Sequence, residues 1–186
     1  MERLAREVEA LRADLLTAHE RIRELEARAD IDGLLDLLNR RGFERELDRA
    51  LSFRRRYGMA AALIYIDFDR FKPINDLYGH AAGDEVLRAA ARALVGAVRA
   101  SDVVGRLGGD ELAVLLWNAT PQHAAAKALK LEAEIAATGV EWDGRHLSVA
   151  ASAGMTMLEQ DDDPASVIAR ADRAMYARKA AKAGVT

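Results

Sequence analysis

The stretch MAAALIYID, residues 59–67, constrains the fold more than any other part of the chain. It is apolar without alternation, of strand length, and it ends in an acid. A strand of that pattern is buried on both sides, so it belongs at the centre of a sheet with layers packed against it. The run is far too short to span a membrane, and no other apolar run approaches the ~20 residues that would be needed.

The rest of the chain supplies the layers. Residues 34–57 carry Leu38, Phe43, Leu47 and Leu51 at helical spacing, after an Asp32-Gly33 turn signal. Residues 83–100 read as a helix with Val86, Leu87, Ala90, Leu94 and Val98 on one face. A hairpin is expected over 103–117, followed by a helix capped by Thr120, with Pro121 at its first position and Gly139 just past its end. Residues 146–158 alternate like a strand, and a last helix starts at Asp163-Pro164. The order β-α-β-β-α-β-α predicts an α+β sandwich of ferredoxin-like type, a mostly antiparallel sheet with each half packing a helix on one face.

Residues 1–29 have a separate pattern. Met1, Leu4, Val8, Leu11, Leu15, Ala18, Ile22, Leu25 and Ala29 alternate in steps of three and four, with charged residues between them. A narrow heptad seam of this kind predicts a parallel two-stranded coiled coil, hence a homodimer, rather than a helix lying on its own domain. The expected division is a coiled-coil segment at 1–29 and a globular domain at 30–186.

Composition excludes several classes. The net charge of −3 gives no reason to expect nucleic-acid or anionic-membrane binding, and the absence of cysteine excludes a disulfide-stapled module and a Cys-ligated zinc site. The expected location is the cytoplasm.

The chemistry concentrates in two stretches. GRLGGDELAVLL (105–116) places two acids, Asp110 and Glu111, at a hairpin tip where like charges repel. In a βαββ arrangement the strand after the first helix is expected to lie antiparallel to the first strand, which brings the tip to the end of that strand and to Asp67. Converging carboxylates suit Mg²⁺, a hard cation that takes one or two carboxylates and completes its shell with phosphate oxygens and water. The stretch DFDRFKPINDLYGHAAGD (67–84) fits a nucleotide on that metal. A strand-to-loop turn offers amides and Lys72 to an anion. Asn75 and Asp84, flanking a Gly-rich loop, suit guanine, whose N1–H and amine form a donor pair that a carboxylate accepts. Singly, a strand-end Asp or a turn Asn is ordinary; the argument is their joint occurrence.

Taken together, DFDRFKPINDLYGHAAGD and RLGGDEL resemble the GGDEF-domain diguanylate cyclases, from about Asp32 to Lys179. The resemblance implies a fold similar to nucleotidyl cyclases and polymerase palms, and the joining of two GTP into cyclic di-GMP with release of two pyrophosphates. It implies Asp67, Asp110 and the backbone carbonyl of Phe68 as ligands of Mg²⁺, with Mn²⁺ able to substitute. Asp110 would also take the 3′-OH proton, Glu111 would support the site, and Lys72 would stabilise charge on the α-phosphate. Asn75 and Asp84 would hold guanine with His80 nearby, and Lys179 falls at a phosphate-binding lysine.

RASD, Arg99 to Asp102, lies at the offset of the family's inhibitory product site, where Arg99 and Asp102 would bind the guanine of cyclic di-GMP. Otherwise the two form a local ion pair. The chain departs from the family pattern at Leu35 and Asp36, which replace Thr and Gly in the entry turn. It also has Leu112 where Phe is commoner, and KAG at the C-terminus where Gly-Arg-Asn is usual, so Lys182 would have to supply the second phosphate contact. The competing expectation is a catalytically silent GGDEF domain that serves as a receptor for cyclic di-GMP or GTP.

Overall fold

A computed structural model describes residues 30–184. The heptad segment and the coiled coil expected of it lie outside the described residues. The chain runs α1 (Arg40–Tyr57), β1 (Ala61–Asp69), α2 (Phe71–Tyr78), α3 (His80–Ala97), β2 (Val103–Gly108), β3 (Glu111–Trp117), α4 (Pro121–Ala137), β4 (Gly139–Trp142), β5 (Arg145–Ser148), β6 (Ala150–Met157) and α5 (Pro164–Ala183). Among the described residues no helix is long and apolar enough to cross a membrane.

The main sheet has the order β2-β3-β1-β6, and each neighbouring pair is antiparallel. The apolar run is therefore central, as its composition requires. β2, the strand that follows the first crossover, does not pair with β1. It forms the sheet edge and points the same way as β1, and its hairpin partner β3 lies between them. The tip still reaches the end of β1, through β3: Asp67 stands directly opposite Glu111.

Both faces of the sheet are covered. Ile64, Ile66 and Phe68 pack with Leu112 and Val114 against Val86 and Leu87 of α3 and Leu131 and Ile135 of α4. Leu63 and Tyr65 pack with Ala113 and Leu115 against Phe43 and Leu47 of α1 and Val167 and Met175 of α5. The element order alone accounts for a helix layer on one face; α1 and α5, which flank the two halves in sequence, close the other. Each such side chain, fully buried, contributes about 1.5–3 kcal/mol, so the doubly covered β1 is a rigid base for what stands at its end.

Several boundaries follow their local chemistry. Thr120 accepts from the His123 amide, and Pro121 opens α4. Asp163 and Ser166 form a reciprocal capping box at α5, with Pro164 first in the helix. Helix α3 starts and ends three residues earlier than its apolar face suggests, and the strand expected at 146–158 is divided between β5 and β6. With β4, β5 makes a separate small hairpin.

Candidate active site

The C-terminal end of β1 carries Asp67, Phe68 and Asp69, and then the chain turns sharply. Arg70 adopts φ 57, and α2 begins at once. The expected loop is a helix here, because Phe71 is buried beneath it and Pro73 falls in the first turn, where its missing N–H is not needed. Gly79, at φ 83, breaks the chain between α2 and α3, a conformation an L side chain rarely adopts. Lys72 and Asn75 thus lie on α2 and Asp84 on α3, with a single-glycine break between them rather than a Gly-rich loop.

This helix-break-helix unit faces the hairpin tip. Lys72, Asn75, His80, Asp84 and Asp110 line one open pocket of about 310 Å³, so the structure brings together five of the residues singled out from sequence. Phe71 and Leu87 give it an apolar wall. Asn75 is placed by Gly83: a Cβ there would lie 1.9 Å from Asn75 Oδ1, so the carboxamide occupies the notch that the missing side chain leaves.

Two arginines fix the tip, Arg106 within RLGGDEL and Arg40 at the start of α1, and neither is among the expected site residues. Arg106 donates from Nε and Nη2 to the Gly109 carbonyl at 2.9 and 2.7 Å, and from Nη1 to Asp32. Arg40 donates from Nε to the Leu107 carbonyl at 2.8 Å and lies 3.8 Å from Glu111. The sequence signal was an arginine two residues before the glycines, but its partners, Asp32 and a tip carbonyl, are visible only in the fold. Asp32 also accepts from the amides of Leu34 and Leu35, so the entry turn forms despite its altered residues. Asp36 takes φ 55 there.

The acids are arranged unequally. Glu111 heads β3 and touches Arg40 and the buried Tyr65, whose hydroxyl pKa is raised by burial and by the neighbouring Glu111. Among the described residues the Asp110 carboxylate has no hydrogen-bond or ion-pair partner. Asp67 is partly buried; burial raises its carboxyl above the ordinary range, Lys179 offsets this in part, and Asp110 and Asp69 push the same way as burial. Lys179, on α5, donates to Asp67 Oδ2 at 2.6 Å and Oδ1 at 3.0 Å, and to the Phe68 carbonyl at 3.3 Å. Lys182 is engaged elsewhere, with the Ala151 carbonyl at 2.6 Å and Glu132 at 3.0 Å.

No group of three or more His, Asp or Glu side chains converges among the described residues. The donor set is smaller: the Asp67 carboxylate and the Phe68 carbonyl already share one cation, the Lys179 ammonium, while Asp110 bears on Asp67 electrostatically. Two carboxylates and a carbonyl fit a metal that takes the rest of its shell from phosphate and water.

At the far end of the hairpin, about six residues or ~20 Å along β2, Arg99 and Asp102 line a second pocket of about 290 Å³ with Trp117, His123 and Lys127. They do not form an ion pair. Asp102 instead accepts from the amides of Arg99 at 3.0 Å and Trp117 at 3.2 Å.

Comparison with known proteins accounts for this arrangement. The family model "Diguanylate cyclase, GGDEF domain" matches residues 29–184. The chain is 38% identical over 167 residues to the probable diguanylate cyclase DgcE of Escherichia coli, covering 89% of this chain and 15% of that protein. It is 42% identical over 153 residues to the diguanylate cyclase TpbB of Pseudomonas aeruginosa, covering 80% and 34%. The crystal structure of the coiled coil and GGDEF domain of DgcB from Caulobacter crescentus in complex with c-di-GMP superposes with a TM-score of 0.80 at 29% identity, over 94% of this chain and 95% of that one. The chain belongs to the GGDEF-domain diguanylate cyclase family. It spans between about a seventh and a third of the length of these curated relatives.

Proposed function

We propose that this chain is an active, Mg²⁺-dependent diguanylate cyclase that condenses two GTP into cyclic di-GMP and two pyrophosphates. The observation that carries this is the meeting of an intact GGDE tip with Lys72, Asn75 and Asp84 in one pocket beside the acid-rich end of β1. GTP as substrate supports a cytoplasmic location for this domain.

Asp84 accepts from the guanine N1–H and amine, and Asn75 completes the base contact, with His80 at the rim. Asp67, Asp110 and the Phe68 carbonyl would hold Mg²⁺, which neutralises the triphosphate and acidifies the attacking hydroxyl. Lys72, in the first turn of α2, supplies a positive charge to the phosphates. Asp110 takes the proton of the 3′-OH of the opposing GTP. The 3′ oxygen then bonds to the α-phosphorus while the bond to the β-phosphate oxygen breaks, and pyrophosphate leaves with that electron pair. Arg106 and Arg40 hold the tip so that Asp110 is aimed before substrate arrives.

One domain holds one GTP, so two domains must face each other and each catalyses one bond. A coiled coil over residues 1–29 would supply that pairing by raising effective concentration; the likeness to a solved chain described as coiled coil plus GGDEF domain supports it. The Arg99–Asp102 pocket is the proposed inhibitory product site. The receptor reading makes the opposite prediction, binding without turnover. Incubation with GTP and Mg²⁺ followed by nucleotide chromatography decides between them. Cyclic di-GMP from the wild type and none from Asp110→Ala supports the cyclase. Tight cyclic di-GMP binding with no product refutes it.

A further inference from the structure

Among the described residues, the cation seated on Asp67 is a lysine of the chain itself. Lys179 reaches from the last turns of α5, 112 residues away in sequence from Asp67. Its ammonium lies on both Asp67 oxygens and the Phe68 carbonyl and is 4.0 Å from Asp69. These are the atoms that the functional reading gives to the metal. A lysine aimed only at a bound phosphate would have no need to occupy them.

We infer that Lys179 is a built-in competitor of the metal: it closes the Asp67–Phe68 donor pair in the free protein and leaves only when metal arrives with the nucleotide's triphosphate. This rests on the reading of Asp67 and the Phe68 carbonyl as metal donors. The logic is one of charge. An incoming bare divalent ion must eject an ammonium from both Asp67 oxygens and leave it with Asp69, 4.0 Å away, as its nearest anion. An ion that arrives with a triphosphate brings a further anion along, so the displaced ammonium exchanges a carboxylate for a phosphate. Metal and nucleotide therefore bind with positive coupling, each favouring the other equally. The site resists idle occupation by free cations.

Lys182 provides the control. It is on the same helix, and its ammonium is 3.9 Å from Asp69, but its close contacts are Glu132 and the Ala151 carbonyl rather than Asp67. Substitution of either lysine removes one positive charge from the neighbourhood; only one of them unseats a competitor.

The test is direct binding of Mn²⁺ alone, by electron paramagnetic resonance, to nucleotide-free wild type, Lys179→Met, Lys182→Met and Asp67→Asn, each checked for folding by circular dichroism. Loss of charge-assisted contacts of this kind corresponds to about a 10- to 100-fold change, so Lys179→Met should bind Mn²⁺ at least tenfold more tightly than wild type. Lys182→Met should stay within about threefold, and Asp67→Asn should lose the site. If Lys179→Met matches wild type while Asp67→Asn loses binding, the competitor is refuted and the metal-site reading stands. Equal tightening by both lysine variants also refutes it, as a general field effect. If Asp67→Asn binds Mn²⁺ like wild type, the assignment of the metal donors itself is wrong.

Discussion

Gly83→Ala should damage GTP binding while leaving the fold intact. Gly83 is buried in the first turns of α3 and its φ is not positive, so alanine is sterically free in the backbone and gains about 0.5–1 kcal/mol of helix propensity. Its Cβ, however, would lie 1.9 Å from Asn75 Oδ1 and 3.0 Å from Asn75 Cγ, with Phe71 Cζ at 3.1 Å. Phe71 can yield by a few tenths of an ångström. The Asn75 carboxamide cannot; it must swing out by more than an ångström. That would remove the proposed contact with guanine, about 1–2 kcal/mol, or a 5- to 30-fold rise in KM for GTP. The assay is initial-rate kinetics beside a urea melt, with Asn75→Ala and the double variant for comparison. The double variant should be no worse than Asn75→Ala alone, since both changes remove one contact. A KM for Gly83→Ala within twofold of wild type, with Asn75→Ala impaired, would refute the notch. So would a collapse in stability.

Three further outcomes follow from particular contacts. Asp36→Gly, which relieves a left-handed backbone at φ 55, should stabilise the domain by about 0.5–1 kcal/mol in urea unfolding, without loss of activity. Arg170 donates to both Asp162 oxygens at 2.9 and 2.6 Å, and that pairing holds the Asp162 carboxyl below the usual carboxylate range. Its stabilisation is therefore present above the unfolded pKa of about 3.9 and lost as pH falls through the lower folded value. Asp162→Asn should cost about 1–3 kcal/mol at pH 7, and the gap from wild type should narrow as denaturation is repeated toward pH 3. Arg106→Met should lower kcat by about tenfold or more, because a tip released from the Gly109 contact no longer aims Asp110, and single-turnover rates would show it.

The parts of this molecule that read directly from sequence are those whose causes are local. The unbroken apolarity of residues 61–66 placed β1 at the centre, and Thr120-Pro121 and Asp163-Pro164 set two helix starts within a residue. Lys72, Asn75 and Asp84 were legible because they sit on one short stretch, whose helix-break-helix path brings them to the end of β1, whereas His80 was implied only by the family resemblance. What could not be read was set by distant pairing. No local pattern says that β3 rather than β2 lies beside β1. The four-residue strands β4 and β5 pair with each other, β4 packs on α3, and Arg145 of β5 lies over the Tyr78 ring of α2. Arg106 reaching Asp32, and Lys179 reaching Asp67 rather than a free surface, are contacts between segments 74 and 112 residues apart.

The most direct test of the central claim is pyrophosphate release from GTP and Mg²⁺, followed over a range of enzyme concentrations alongside cyclic di-GMP, for wild type and Asp110→Ala. A facing-pair cyclase gives two pyrophosphates per cyclic di-GMP, a rate per protein that rises with concentration, and no product from Asp110→Ala. Pyrophosphate at equal rates from both proteins, or a rate per protein independent of dilution into the nanomolar range, would contradict it.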